Sequence, residues 1–478
     1  MNDSSSSRKV ADTLARELER VPAGTRLATH RELVRRFGVS ATTVSQALAL
    51  LTQWGVVTSR PGAGTFRAEA RPVQRAGDTS WQEAALQPAT SAGSPAGAAR
   101  GFTASGLLGT LSTLGPDVVD LNGGYLHPTL QPLAMLGTAL ARAARRPATW
   151  DRPAVGGLPE LRDWFAAGIG GGLGRDDVLV CGAGQGALAT ALRALGQPGA
   201  PVVVESPTYP GTIAAARAAG LRPVAVPLDA EGLRADHLDE ALGRTGARVV
   251  IVQPLFQNPT GACLSAARQH EILRVARQHG AFVIEDDFAR HMAHADAGPT
   301  PPPMVADDPD GTVVHIRSLT KVTSPNLRVG ALAARGPVMA RLRAAHLIDT
   351  MFVPAPLQHT ALEVVTAPGW KRALAALGSA LEQRRKVAAD AVSATFGPRA
   401  LAVRPRGGYH LWVSLPGHLD EERLAAAALA HGVALTPGGH YYATDSGTPH
   451  VRISYVAAPS AADVDDAVRR LAPLVTEV

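Results

Sequence analysis

The chain carries two different periodicities, one after the other. Between residues 8 and 67 apolar positions recur at helical spacing and are closely punctuated by turn residues. From Ala41 to Gln53, Val44, Ala47, Leu48 and Leu51 fall at i, i+3, i+4 and i+7. That spacing gives one buried stripe and turns Ala41, Thr42, Thr43, Ser45 and Gln46 outward near the start of the helix. A shorter helix is expected before it, opened by Thr29 with Glu32 three residues on, the pair that forms a capping box. Gly38 permits the tight turn between the two helices, and Ser40 caps the second. Val56, Val57 and Thr58, then Thr65, Phe66 and Arg67, flank a turn containing Arg60 and Gly62, which predicts a hairpin with basic flanks.

Residues 68 to 115 lose this pattern and are dominated by Ala, Gly, Ser, Thr, Pro and Gln, the composition of a linker. From Asp117 a second pattern begins. Short apolar runs at 178–180, 201–204, 249–252, 282–284 and 313–316 are separated by helical stretches rich in Ala, Arg and Leu. Such alternation predicts an α/β fold, a parallel sheet covered by helices on both faces. Beyond about residue 375 come a long helix, expected over 376–391, and a mixed α/β tail. The expected division is therefore 1–68, a helix-turn-helix unit with a wing; 69–115, a flexible linker; 116–374, a large domain; and 375–478, a smaller one.

Composition changes this picture in three ways. The start is polar, no apolar run approaches bilayer length, and the only cysteines are Cys181 and Cys263, which points to a reducing, cytoplasmic setting without a disulfide framework or membrane span. The net charge of +6 is carried entirely by residues 1–75, where 12 Arg and Lys face 6 Asp and Glu (12 − 6 = +6), so the remainder is neutral. A basic head on a neutral body suits contact with a polyphosphate. Lysine is scarce: of 47 basic residues only Lys9, Lys321, Lys371 and Lys386 are lysines. Lys371 and Lys386 sit in charged helical stretches and read as solvated. Lys321 follows the strand expected at 313–316, at the kind of strand end where α/β proteins place ligands.

The helix opened by Ser40, following a tight turn, has the form of a recognition helix, and the hairpin after it that of a wing. The stretches PAGTRL (22–27), RELVRRFGVSATTVSQALALL (31–51) and RPGAGTF (60–66) resemble the winged helix of the GntR regulators. The resemblance implies binding to double-stranded DNA, with base readout by Thr42, Thr43 and Gln46 and phosphate contacts from Arg31 and the wing residues Arg60 and Gly62. Ala41 and Ser45 stand where family members often carry arginine, which weakens the expected readout of guanine.

In the body, candidate chemistry clusters at strand ends. CGAGQG (181–186) follows a strand and opens a helix, presenting bare N–H groups to a phosphate. ESPTYPG (205–211) puts an aromatic ring just after a strand, QNPTG (257–261) puts an amide at a turn, and EDDF (285–288) ends a strand in carboxylates. A lysine among hydroxyls suits a Schiff base with an aldehyde cofactor. Together these motifs resemble the fold-type I aminotransferases, over roughly 118–475. The resemblance implies pyridoxal 5'-phosphate, with Lys321 as the Schiff-base lysine, Asp286 the partner of the pyridine nitrogen, Asn258 on the ring hydroxyl and Tyr209 stacked on the ring. It implies Gly184, Gln185, Ser318 and Arg328 around the phosphate, and Arg452, in HVRISY (450–455), paired with a substrate carboxylate. Two positions depart from the family. Phe288 replaces a tyrosine that hydrogen-bonds the ring hydroxyl, and Trp150 replaces a tyrosine that reaches a neighbouring subunit's phosphate. Glu285, His291 and His294 show no metal-ligand spacing.

A GntR-like head on an aminotransferase-like body is similar to the MocR-type regulators along the whole chain. That resemblance implies a homodimeric transcription factor that senses pyridoxal phosphate, or an amino acid or amine effector, through its body. An active aminotransferase with a vestigial head, and a DNA-binding protein with an empty body, are the alternatives.

Overall fold

The computed structural model describes residues 3–60, 62–68, 111, 114–444 and 448–476. Two compact units divide at residue 87, and almost all of the expected linker, 69–115, lies outside the described residues.

The first unit contains α1 (Asp3–Leu18), α2 (His30–Phe37), α3 (Ala41–Gln53), β1 (Val57–Arg60) and β2 (Gly64–Arg67). The helix α1 has no counterpart among the expected elements. It supplies Val10, Ala11, Leu14 and Leu18 to a core closed by Leu33, Val44, Ala47, Leu51 and Val57, so it completes a core that α2 and α3 are too short to close. Thr29 and Glu32 form the capping box, and Gly38 ends α2 at φ +64, in the left-handed region open to glycine. Ser40 caps α3 through the Thr43 N–H. The wing pairs in antiparallel register, Thr58 opposite Phe66 and Val57 opposite Arg67.

The second unit is built on an eight-stranded sheet. Its strands are β4 (Val178–Cys181), β5 (Pro201–Ser206), β6 (Arg222–Asp229), β7 (Gly232–Leu233), β8 (Val249–Val252), β9 (Phe282–Asp286), β10 (Val313–Ser318) and β11 (Gly330–Ala333), preceded in the chain by β3 (Val119–Asp120). The order is β4-β11-β10-β9-β8-β5-β6-β7. From β10 to β6 all pairs are parallel, while β11 runs antiparallel to both its neighbours. Alternate residues feed separate cores: Val178, Val180, Val203, Val250 and Val283 pack on one face, Leu179, Val202, Ile251, Ile284 and Val314 on the other. Apolar burial on both faces is why these runs read as continuous rather than alternating.

The C-terminal part adds β12 (His410–Ser414), β13 (Val433–Ala434), β14 (Thr436–Pro437) and β15 (His450–Ser454). The strand β15 is central in the sheet β12-β15-β14, and β13 pairs in parallel with β3. Residues just after 118 thus belong structurally with the C-terminal lobe, a long-range pairing with no local signal. The long helix is Trp370–Phe396, longer at both ends than the expected 376–391, and the boundary expected after residue 374 falls inside it. No helix among the described residues is long and apolar enough to cross a membrane.

Because Leu51 is fully buried in a core of nine residues, Leu51→Ala is expected to destabilise the first unit by about 2–5 kcal/mol, read from denaturant unfolding of the full chain. The body's transition is expected to stay where it is.

Candidate functional site: a buried lysine cavity and an exposed helix face

In the first unit the outward face of α3 presents Ala41, Thr42, Ser45 and Gln46 to solvent, with Arg31 exposed on α2 and Arg60 on the wing. Thr43 does not join them. It is 2% exposed, and its hydroxyl lies 2.8 Å from the Ser40 hydroxyl that caps its own N–H. The cause is local: the residue three beyond an N-cap is drawn back toward it, whatever the wheel position of its Cα. Ser45 is engaged as well, its Oγ 2.9 Å from Nε2 of His30, a contact the sequence does not suggest. The Arg60 guanidinium sits 5.1 Å from the centroid of the Phe66 ring, and Gly62 turns the wing at φ +73.

In the second unit the ends of β4, β5, β8, β9 and β10 bring together a cavity lined by Gly184, Gln185, Tyr209, Asn258, Asp286, Phe288, Ser318, Lys321 and Arg328, with Tyr125, Gln253, Thr320 and Tyr409 among the other lining residues. All eight body residues expected to hold a cofactor therefore meet in one place. Arg452 lies just behind, 2% exposed, with its guanidinium 6.0 Å from the Tyr409 ring centroid and 5.6 Å from that of Tyr441.

Lys321 follows β10 in a short 3-10 turn, Thr320–Val322. Its Nζ donates to the Gly124 carbonyl at 2.8 Å and lies 4.1 Å from the Tyr125 ring centroid and 5.3 Å from that of Tyr409. Burial brings the amine down to about 8, against the opposing pull of Tyr125 and Asp286. At that value the amine is mostly protonated near neutrality but holds about a tenth as the free base, the form that attacks a carbonyl carbon. Burial likewise pushes the Asp286 carboxyl up to about 6, while its bond from Gln253 Nε2 (2.8 Å) favours the charged form. Glu205, deeper under the same strands, is pushed up to about 8 by burial.

Several buried polar atoms at the cavity have no hydrogen-bond partner: Asn258 Oδ1, Gln185 Oε1 and Thr320 Oγ1, with Arg452 Nε behind them. Buried polar atoms are rarely left unmade without reason. An orphaned amide at 258, a carboxylate at 286, a lysine amine at 321 and, at the start of the helix Ala183–Leu195, backbone N–H groups beside Ser318 and Arg328 match the donors and acceptors of a phosphorylated pyridine aldehyde. Tyr209 flanks that space, its phenol pushed up by burial. A Cβ on Gly211 would come within 2.2 Å of its ring, so only glycine fits there. Arg328 and Ala183 both sit at positive φ (+47 and +63), strained backbone of the kind that clusters at ligand sites.

The two departures are now specific. Phe288 is buried and meets Tyr409 edge-on at 6.1 Å, so the ring remains while its hydroxyl is missing. Trp150 is 72% exposed. One grouping differs from expectation: Glu285, Asp287 and His315 come close enough to hold an ion. Arg317 and Arg290 already bind the Asp287 carboxylate, and Glu285 accepts from the Met304 and Val305 N–H groups and from His315. Two guanidiniums on one carboxylate oppose a cation there. Tyr125 and Tyr409 are site residues that the sequence motifs do not mark, yet a usable signal exists for both. The chain has six tyrosines, and three of them (Tyr125, Tyr209 and Tyr409) line this cavity. Scarcity, which singles out the lysine, singles out these rings too.

Residues 122–471 match the family of class I and II aminotransferases, and residues 6–66 match the gntR family of bacterial regulatory proteins. The chain is 30% identical over 360 residues to 2-aminoadipate transaminase of Thermus thermophilus, covering 74% of this chain and 89% of that protein. It is 25% identical over 462 residues to YdfD of Bacillus subtilis, an uncharacterized HTH-type transcriptional regulator, covering 96% and 93%. Among solved structures, the α-aminoadipate aminotransferase LysN of Thermus thermophilus, complexed with N-(5'-phosphopyridoxyl)-L-leucine, superposes with a TM-score of 0.74 at 28% identity, covering 83% of this chain and 98% of that one.

Since only the unprotonated amine attacks, condensation of Lys321 with an aromatic aldehyde is expected to accelerate with pH, about tenfold per unit, and to level off above about 8. Stopped-flow absorbance across pH 6 to 10 reads this directly; a midpoint near that of an exposed lysine would contradict it.

Proposed function

Because this chain belongs to the class I and II aminotransferase family and carries a GntR-type head, the MocR-type arrangement, we propose that it is a transcriptional regulator that binds operator DNA through α3 and the wing and senses pyridoxal 5'-phosphate, or an amino compound, through its body. The observation that carries the reading is that one chain holds both an exposed helix face and a cavity with a buried lysine amine. The match to an HTH-type regulator along 96% of the chain supports it. On this reading Thr42 and Gln46 meet base edges, Arg31, Arg60 and the backbone at Gly62 meet phosphates, and Thr43 serves the helix cap.

The cofactor, when bound, supplies an aldehyde carbon that condenses with primary amines and a ring that withdraws electrons. Lys321 provides the amine, Asp286 holds a proton on the pyridine nitrogen, Asn258 donates to the ring hydroxyl, and Tyr209 covers one ring face. Gly184, Gln185, Ser318 and Arg328 surround the phosphate. Arg452, buried with a free Nε, takes an effector's carboxylate. A homodimer accounts for exposed apolar side chains at Leu133, Leu140, Trp150, Leu347, Ile348 and Met351. A DNA-binding protein of this kind works in the cytoplasm.

A mobility shift on the DNA upstream of its own gene, at stated salt and with and without pyridoxal phosphate, tests the reading. A discrete, competitor-resistant complex that responds to the cofactor is expected. Gln46→Ala is expected to weaken it by about 1–3 kcal/mol, and Arg60→Ala to weaken all sequences alike and reduce the salt slope by about 1. No specific complex would sink the proposal.

A working aminotransferase is the second reading, favoured by the assembly of Lys321, Asp286 and Arg452 around one cavity and by the likeness to 2-aminoadipate transaminase. Phe288 removes a hydroxyl that would tune turnover. Amino transfer to a 2-oxo acid is therefore expected to stop within a single turnover, measured by product formed per site; sustained turnover, lost in Lys321→Ala, would favour the enzyme.

A further inference from the structure

The three backbone carbonyls that precede Tyr125, a cavity-lining residue, each accept a hydrogen bond from a side chain far along the chain. The Asn122 carbonyl accepts from Arg452 Nη2, the Gly123 carbonyl from Ser454 Oγ at 2.6 Å, and the Gly124 carbonyl from Lys321 Nζ at 2.8 Å. The turn is otherwise fixed from behind, with Asp120 Oδ1 accepting from the N–H groups of Asn122 and Gly123. Among the described residues no carboxylate pairs with the Lys321 amine, and what it has instead is one carbonyl oxygen and the faces of Tyr125 and Tyr409. Those are the partners that suit an ammonium in a place without anions. Glycine at 124 leaves room beside the amine. A Cβ there would stand 3.1 Å from the Tyr409 hydroxyl and 3.4 Å from Nζ itself.

We propose that the Gly124 carbonyl and the Tyr125 ring form a docking site for the Lys321 amine whenever it is free of the cofactor, so that the 122–125 turn registers whether this lysine is covalently engaged. The proposal rests on the amine-sensing reading above and adds its regulation. When Lys321 is bonded to the aldehyde carbon, its nitrogen is held at the cofactor and the Gly124 carbonyl loses its donor. An incoming amino acid reverses this. Its nitrogen takes over the double bond to that carbon, the bond from the carbon to the Lys321 nitrogen breaks, and the hydrogens of the incoming ammonium pass to Lys321, which leaves as an ammonium. The docking site receives it. In the same event the ligand's carboxylate offers Arg452 a stronger acceptor than the Asn122 carbonyl. One short turn thus answers to both ends of the ligand, gaining a donor at Gly124 and sharing one at Asn122.

Hydrogen–deuterium exchange of peptides covering residues 118–126 in the full-length protein tests this, with the site filled throughout. In one form pyridoxal phosphate is fixed to Lys321 by borohydride; in the other pyridoxamine phosphate fills the site and Lys321 is free. The form with free lysine is expected to exchange about tenfold more slowly, the weight of one desolvated cation–π contact; equal rates would overturn the docking site. Tyr125→Phe keeps the aromatic face and is expected to keep the slow exchange, whereas Tyr125→Leu is expected to lose it. Slow exchange in Tyr125→Leu would refute the part given to the ring. Unreduced protein is then titrated with L-phenylalanine, L-glutamate and 4-aminobutanoate. An amine that restores slow exchange supports both ideas. If the two fixed forms differ but none of the amines alters the unreduced protein, the docking site stands and the amine-sensing reading falls.

Discussion

The body is organised around charge buried without a matching opposite charge. Lys321 carries its amine into a cavity also lined by Asp286, whose carboxyl is itself pushed toward neutrality by the same burial. A low-dielectric site penalises both ions, and their separation denies each full compensation from the other. Such a pair persists because the sheet imposes it. Asp286 ends β9 and Lys321 follows β10, parallel neighbours in register from Val283 opposite Val313 to Asp286 opposite Ile316. Both strands are buried on both faces, so neither terminus can relax toward water without dismantling two cores.

The polar atoms around this pair follow from the same constraint. Gln253 at the end of β8 donates to Asp286 and accepts from the Asn258 N–H at 2.9 Å, linking the carboxylate to the amide that stands free on the other side. Its own N–H reaches Glu205 on β5 at 3.2 Å. Three adjacent parallel strands thus share one hydrogen-bonded array, and the atom left unmatched in it, Asn258 Oδ1, belongs to a residue that lines the cavity. The head obeys a different logic. Its core is small, its caps are local, and its outward helix face is ordered by Ser40 and Gly38 rather than by long-range pairing.

Much of this is legible in the order of the amino acids. Lys321 stands out because the chain otherwise uses arginine, and the strand-end positions of Asp286, Asn258, Tyr209 and the glycine turn at 182–186 follow from apolar runs whose ends are sharp. The capping residues of α2 and α3 are equally readable, since a cap is a contact between residues three apart. Thr43 departs from its expected place for a related reason: helical periodicity places a Cα on a face but does not say that a neighbouring cap will claim the side chain.

The helices α2 and α3, the wing, the parallel strands and the polar residues at their ends are all readable along the chain, because each is encoded in spacings of a few residues. Folding is what pairs β3 with β13, makes α1 complete the head's core, and brings Gly124, Tyr125 and Tyr409 to Lys321 from as far as some 200 residues away along the chain, and Arg452 to the neighbouring Asn122 carbonyl. Those contacts carry no local pattern. They arise when a twisted sheet brings distant loops over one edge, and their energy comes from burying groups whose partners the chain supplies from elsewhere.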